Sequence, residues 1–398
     1  MYPQPKLLSA EPKLAEWTTH VKRSVLRDMI AVVSKPGILS FAGGLPAPDL
    51  FPCDSFSDAV AHVMSSDALA LQYRPPYEPL KAQIVELMRM RGVECSTRQI
   101  FITTGAQQAL AVLAQMLLDP HGTVAAERIV YTGLQQAVAP MSPRFLSIET
   151  DLQSGMDVDQ LRRALAGGER PAFLYTVPEA HNPLGVSLSP AKRHQLIAVA
   201  REYGLPIIED DPYGLLSYDG AAPDALRSLD ETFVFYLGSF SKIIAPALRV
   251  GWIVAPEAMV PKLTVVKEAA DLETSALMQR AISAWLAAGH LAPHLALLRR
   301  EYGARRDAML AALRRHFPAN ATWTEPEAGM FVWVELPQAF DTGALFERAL
   351  AEEQVAFIPG HAFAVGGQGA RNCLRLNFSN ATVDQINHGI ERLGRVIG

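Results

Sequence analysis

The sequence predicts an α/β protein, with a largely parallel sheet covered by helices on both faces and a smaller α+β unit at its end. From about Arg98 onward, short apolar runs alternate with helix-like stretches. The run Phe233 to Leu237 is short, aromatic and β-branched, the character of a buried strand. The tail carries two further apolar runs, "MFVWVELP" and "CLRLNFS", interleaved with helical patterns.

"QIFITTG" reads as a strand whose glycine opens the helix "AQQALAVLAQMLL". "PAFLYTVP" is the next strand. Ser189 and Pro190 then form an N-cap and first-turn pair for a helix that reaches Tyr203, where Gly204 closes it. "LPIIEDD", "TFVFYLG" and "RVGWIVAP" are strands, the middle one ending where Gly238 and the serines begin. A long helical region is expected over roughly 257–315, and a helix near 342–353. The final helix starts at Thr382, which with Gln385 forms a capping box. No internal repeat or low-complexity segment interrupts this order.

At 398 residues the chain is long enough for a large core and two or three structural units. A net charge of −5 supplies no basic footprint for nucleic acid, which points to a small-molecule partner. Cys53, Cys95 and Cys373 are widely spaced, without metal-ligand spacing, and fit a reducing compartment with no disulfide and no metal site. The opening "MYPQPKLLSAEPKLAEW" carries prolines and charges where an export signal would be apolar, and no run is apolar for long enough to span a membrane. A cytoplasmic protein is expected.

In an open α/β sheet, ligands bind at the carboxyl ends of the strands, so the polar residues just past each apolar run are the candidates. After "QIFITT" come Gly105, Ala106 and Gln107, where free amides at a helix start suit a phosphate. After "FLYTVP" comes Asn182-Pro183-Leu184-Gly185. After "LPIIE" come Asp210 and Tyr213. After "FVFYLG" come Ser239, Ser241 and Lys242, with Arg249 further on. Lys242 at a sheet mouth is either snorkelling to solvent or an amine whose charge is removed for chemistry.

In this order the sequence resembles the pyridoxal-5′-phosphate (PLP) aminotransferases of the aspartate-aminotransferase fold type. The nearer likeness is to 2-aminoadipate and kynurenine aminotransferases and the effector domains of MocR-type regulators. The motifs "ILSFAGGLPAPDLFP", "LQYRPPYEPL", "TTGAQQAL", "NPLG", "IIEDDPYG", "SFSKIIAPALRVGW", "EAGMFVWVELP" and "LRLNFS" carry the resemblance from about Arg27 to the end. It implies fold type I: a large domain with a mostly parallel seven-stranded sheet, and a smaller α+β domain from both ends of the chain. The implied division is an N-terminal segment and lid (1–55), a PLP-binding domain (56–285) and a C-terminal domain (286–398).

The resemblance also implies roles. Lys242 would hold PLP as a Schiff base and then carry the proton from Cα. Asp210 would keep the pyridine nitrogen protonated, and Tyr213 and Asn182 would hydrogen-bond the ring oxygen. Arg249, Ser239, Ser241, Gly105 and the amides of Ala106 and Gln107 would hold the phosphate. Tyr131 would stack on the ring, or be a core tyrosine. Arg375 would read the substrate carboxylate, or pair with a structural one. Gly44, next to Gly43, would let the backbone approach substrate, or form a plain turn. Tyr73 would reach the phosphate in the neighbouring subunit of a homodimer. Arg27 would sit on a lid helix, or be an ordinary exposed arginine.

Three residues depart from the family pattern. Arg74 stands where glycine is usual, Leu184 replaces a threonine and Ala106 a serine. They bear on substrate choice more than on reaction type. The reading is therefore transamination between an α-amino acid with a bulky apolar, aromatic or long side chain and a 2-oxo acid such as 2-oxoglutarate. A PLP-dependent lyase, decarboxylase or oxidase shares the cofactor machinery. A PLP-sensing regulator would need a DNA-binding domain, for which about forty residues before "ILSFAGG" are too few.

Overall fold

The computed structural model describes residues 14–20, 37–218, 220 and 222–398. Its centre is a seven-stranded sheet. In chain order the strands are β1 (Ile100–Thr103), β2 (Thr123–Glu127), β3 (Arg144–Ile148), β4 (Phe173–Thr176), β5 (Ile207–Asp210), β6 (Val234–Ser239) and β7 (Gly251–Val254). Across the sheet the order is β1-β7-β6-β5-β4-β2-β3. Only β7 runs antiparallel to its neighbours. Strands β1, β4, β5, β6 and β7 are buried along their whole length, as expected where helices cover both faces.

The predicted caps are present. Ser189 accepts from the Lys192 amide at 3.4 Å, Gly204 ends that helix in the left-handed region, and Thr382 and Gln385 form the reciprocal capping box. Three expectations need correction. Strand β6 runs on through Gly238 and Ser239, because Gly251 and Trp252 of β7 pair with them. The region 257–315 is not continuous. Helices Val260–Asp271, Ala276–Ala287 and Leu291–His316 are separated at Leu272, which has φ +64°, and at Gly289, which has φ +79°. The last two helices meet at 88°. Strands β2 and β3 are additional. "TVAAE" has little of the β-branched signal, and "RFLSI" lies at the sheet edge, only partly buried.

The tail is an antiparallel four-stranded sheet in the order Thr322–Trp323, Phe331–Glu335, Cys373–Asn377, Ile358–Pro359. Helices Thr342–Glu352 and Val383–Ile397 accompany it. Leu39–Ser40, far upstream, pairs in parallel with Val355–Ala356, so the segment holding Gly43 and Gly44 is tied to this C-terminal unit. Among the described residues no single helix is long and apolar enough to cross a membrane.

Candidate active site

The carboxyl ends of β1, β4, β5 and β6 converge on a cavity of about 410 Å³, closed on its other side by Gly43–Leu45, Phe331 and Arg375. Ala106, Gln107, Tyr131, Asn182, Asp210, Tyr213, Ser239, Ser241, Lys242, Arg249, Gly44 and Arg375 all line it.

One end is an anion cradle. Gly105 caps the helix Ala106–Leu117 with φ +83°. A Cβ there would come within 2.6 Å of Arg249 Nη2, so both conformation and space require glycine. Arg249, itself at φ +52°, donates to Thr104 O at 3.1 Å and to Pro246 O at 3.3 Å, and meets no carboxylate among the described residues. Ser239 Oγ donates to Ser241 Oγ at 2.9 Å and accepts from the Ser241 amide at 3.1 Å. An uncompensated guanidinium, two hydroxyls and a helix N-terminus in one place form a site for a phosphate.

At the centre, Lys242 Nζ donates to Gly44 O at 2.7 Å. Burial, assisted by the positive potentials of Arg375 and Arg249 and opposed by Asp210, pushes its pKa down to about 8. Asp210, buried at the end of β5, accepts from Tyr175 Oη through Oδ2 at 2.7 Å. Its Oδ1 takes no hydrogen bond from the described residues. Burial raises this carboxyl to about 6. Tyr213 is buried edge-on to Phe331, with 6.1 Å between ring centroids, and burial pushes its hydroxyl pKa up. Tyr131 Oη donates to Gln107 Oε1 at 3.2 Å, and burial raises its pKa to about 12. Its place in the cavity wall goes against a purely core role.

At the far end lies Arg375, 2% exposed. Its Nη1 donates to Asn182 Oδ1 at 2.8 Å and its Nη2 to Ala42 O at 2.6 Å. Its guanidinium carbon lies 4.1 Å from the Phe331 ring centroid and 4.7 Å from that of Phe363. Nε has no partner, and no carboxylate of the described residues pairs with this cation. Burial lowers its pKa to about 10, which leaves it charged at neutral pH. A buried cation held only by neutral acceptors is costly, and an anion entering the cavity would relieve that cost.

One expected site residue lies elsewhere, and one falls outside the described residues. Tyr73 is 74% exposed and outside this cavity, and Arg27 is outside the described residues. The departures from the family pattern also find places. Arg74 pairs with Asp67 at 2.6 Å, so its charge is not in the cavity. Leu184 is buried and does not line the site. Ala106 does line it, without a hydroxyl. The sequence reading overlooked Tyr175, which sits inside the strand pattern of β4 and not just past it, and the aromatic pair Phe331 and Phe363, which are far apart in the chain.

The donor set fits PLP. A phosphate cradle, a half-buried amine of depressed pKa and a buried carboxylate with one free oxygen are what its phosphate, aldehyde and pyridine nitrogen require.

Comparison with known proteins agrees with this geometry. A sequence profile for "Aminotransferase class I and II" matches residues 48–393. The chain is 39% identical to a 2-aminoadipate transaminase of Thermus thermophilus over 98% of each chain. It is 36% identical to an aromatic-amino-acid aminotransferase of Thermococcus litoralis over 98% of this chain and 95% of that one. Among solved structures, a kynurenine aminotransferase of Pyrococcus horikoshii in complex with PMP superposes with a TM-score of 0.91, at 35% identity and 96% coverage of both chains.

Proposed function

The chain belongs to the class I and II aminotransferase family and is a PLP-dependent aminotransferase, and from that premise we propose that it moves an amino group from a bulky apolar, aromatic or long-chain α-amino acid to a 2-oxo acid, with 2-oxoglutarate the preferred acceptor. The observation that carries the substrate class is Arg375, a buried cation with no counter-charge among the described residues, in the same cavity as Lys242. Every α-amino acid and 2-oxo acid offers it the same planar carboxylate. The breadth of side chains is supported by relatives named for aminoadipate, aromatic amino acids and kynurenine.

When bound, the cofactor supplies an electron sink for the pair of electrons left on Cα. The protein supplies the rest. Lys242 would provide the amine that holds the aldehyde and the base that carries the proton between the substrate Cα and the cofactor carbon. Asp210, steadied by Tyr175, would hold a proton on the pyridine nitrogen. Tyr213 and Asn182 would donate to the ring oxygen, while Asn182 Oδ1 accepts from Arg375 and so orients it. Arg249, Ser239, Ser241 and the amides at Ala106 and Gln107 would hold the phosphate, and Tyr131 would cover the ring. Gly44 brings a backbone carbonyl to the amine.

Arg375→Leu tests the substrate reading. The expected result is a rise in KM and a fall in kcat/KM of about 10- to 100-fold, the worth of charged hydrogen bonds, for every donor and acceptor tried. Steady-state kinetics over a panel of donors would check it. A loss confined to one donor would make Arg375 a side-chain reader.

The active unit is a homodimer with shared sites. The support is that Tyr73, the residue expected at the cofactor phosphate, is exposed and outside the chain's own cavity, with Leu69 and Leu71 exposed beside it. A two-fold dimer makes such sharing reciprocal. Co-expressing Lys242→Ala with Tyr73→Ala should place both defects in one site of each mixed dimer and none in the other. With random pairing about a quarter of wild-type sites should return. No gain over the separate variants, with heterodimers verified by mass, would mean that Tyr73 acts in its own chain.

A further inference from the structure

Arg74 stands where the related pattern has glycine, and its surroundings give it a task. Beyond the helix Cys53–Ser66 the chain runs along the surface, where Leu69, Leu71 and Tyr73 are 58, 73 and 74% exposed. Asp67 closes the start of this loop: its Oδ1 accepts from the Leu69 amide at 3.0 Å. Its Oδ2 accepts from Arg74 Nη1 at 2.6 Å and from Arg280 Nε at 3.1 Å. The Arg74 amide donates to both oxygens of Glu273, at 3.1 and 3.2 Å. Tyr73, by contrast, has its amide bonded only to Gln72 Oε1 beside it. Turn bonds of the Ala70 and Gln72 amides, to Asp67 O and Leu69 O, shape the loop before it, and the contacts of Arg74 tie the end after it to the fold.

Glu273 links this loop to the anion cradle. Two residues before it, Asp271 accepts from Thr104 Oγ1 at 2.6 Å, and the Thr104 carbonyl in turn accepts from Arg249. One short segment, 271–274, thus braces both the cradle of its own site and the loop that offers Tyr73 outward. A glycine at position 74 would keep the amide contact with Glu273, lose the clamp to Asp67 and gain backbone freedom.

We infer that Arg74 is a positioning residue which, through Asp67, fixes the loop so that Tyr73 meets the cofactor phosphate of a second copy of this chain. The inference rests on the shared-site reading above. Arg74 and Asp67 are each about a third exposed on their side chains, so the effect is modest, about fivefold in cofactor retention.

The test uses mixed dimers isolated through two different tags, in which one chain carries Lys242→Ala. Only the other chain can then bind PLP covalently, and its absorbance reports one site alone. In the first arrangement Arg74→Met is placed in the Lys242→Ala chain, whose Tyr73 loop serves the reporting site. In the second it is placed in the reporting chain itself. PLP release after dilution is expected to be about fivefold faster in the first arrangement and unchanged in the second. Asp67→Asn, which keeps the Leu69 contact but removes the charge, should repeat that cross-chain loss, and Arg74→Lys should restore part of it. Equal release in both arrangements, or loss only in the second, overturns the inference. Tyr73→Phe in the same two arrangements separates it from its premise. If Tyr73→Phe speeds release across chains and Arg74→Met does not, the inference alone fails. If Tyr73→Phe acts within its own chain or not at all, the shared site fails and takes the inference with it.

Discussion

Lys242→Ala is expected to reduce turnover by about 10⁴-fold or more while leaving a folded protein that still binds PLP. The side chain contributes one hydrogen bond, to Gly44 O, and sits in a cavity wall, so its loss leaves no packing defect of the size that unfolds a domain. What would be lost is the amine proposed to bind the aldehyde and carry the proton. Circular dichroism would report the fold, equilibrium dialysis the cofactor, and a coupled assay the turnover. Near wild-type turnover would remove Lys242 from the mechanism. The wild-type amine adds a pH signature. A lysine whose pKa is lowered to about 8 is charged below that value and neutral above it, so only above it is the amine free to attack. Covalent uptake of PLP by the apoprotein should therefore accelerate as pH rises through about 8. Acceleration centred near the ordinary lysine value would mean that Arg375, Arg249 and burial do not act on this amine.

Asp210→Asn is expected to retain the cofactor and lose about 10³-fold in rate, the scale of removing a preorganised charge from a reacting centre. Tyr175 can still donate to the amide oxygen, so the geometry persists. An amide could not keep a proton on the pyridine ring, and under the proposed role the electron sink would weaken. Burial has raised this carboxyl to about 6, so near neutral pH the cavity holds mostly a carboxylate ready to meet a pyridinium. Single-turnover kinetics with a reactive donor would measure the loss directly. An unchanged rate would assign the nitrogen to another residue.

The fold could be read from the sequence where local signals were strong. The runs ending at Thr103, Thr176, Asp210 and Val254 are strands because they are apolar and bounded by glycine, proline or charge. The caps at Ser189, Gly204 and Thr382 are visible because their chemistry is local. Strands β2 and β3 escaped because alanine and edge exposure erase the pattern, and tertiary pairing alone makes them strands. The break at Gly289 was open to reading, since a glycine at the end of one helical pattern precedes Pro293 early in the next.

Which side chains stand at strand ends, and thus that Lys242, Asp210, Asn182 and the cradle around Gly105 face a common cavity, can be read from chain order and strand direction in a parallel sheet. Contacts between distant segments are what put Arg375 between Phe331 and Phe363, with no carboxylate of the described residues beside it, and turn Arg74 to Asp67 and away from the site. Whether a buried charge is spent on the fold or kept for a ligand depends on what lies within a few ångströms of it. Its neighbours there, such as Ala42 and Asn182 around Arg375, come from segments hundreds of residues apart, and no local pattern records that distance.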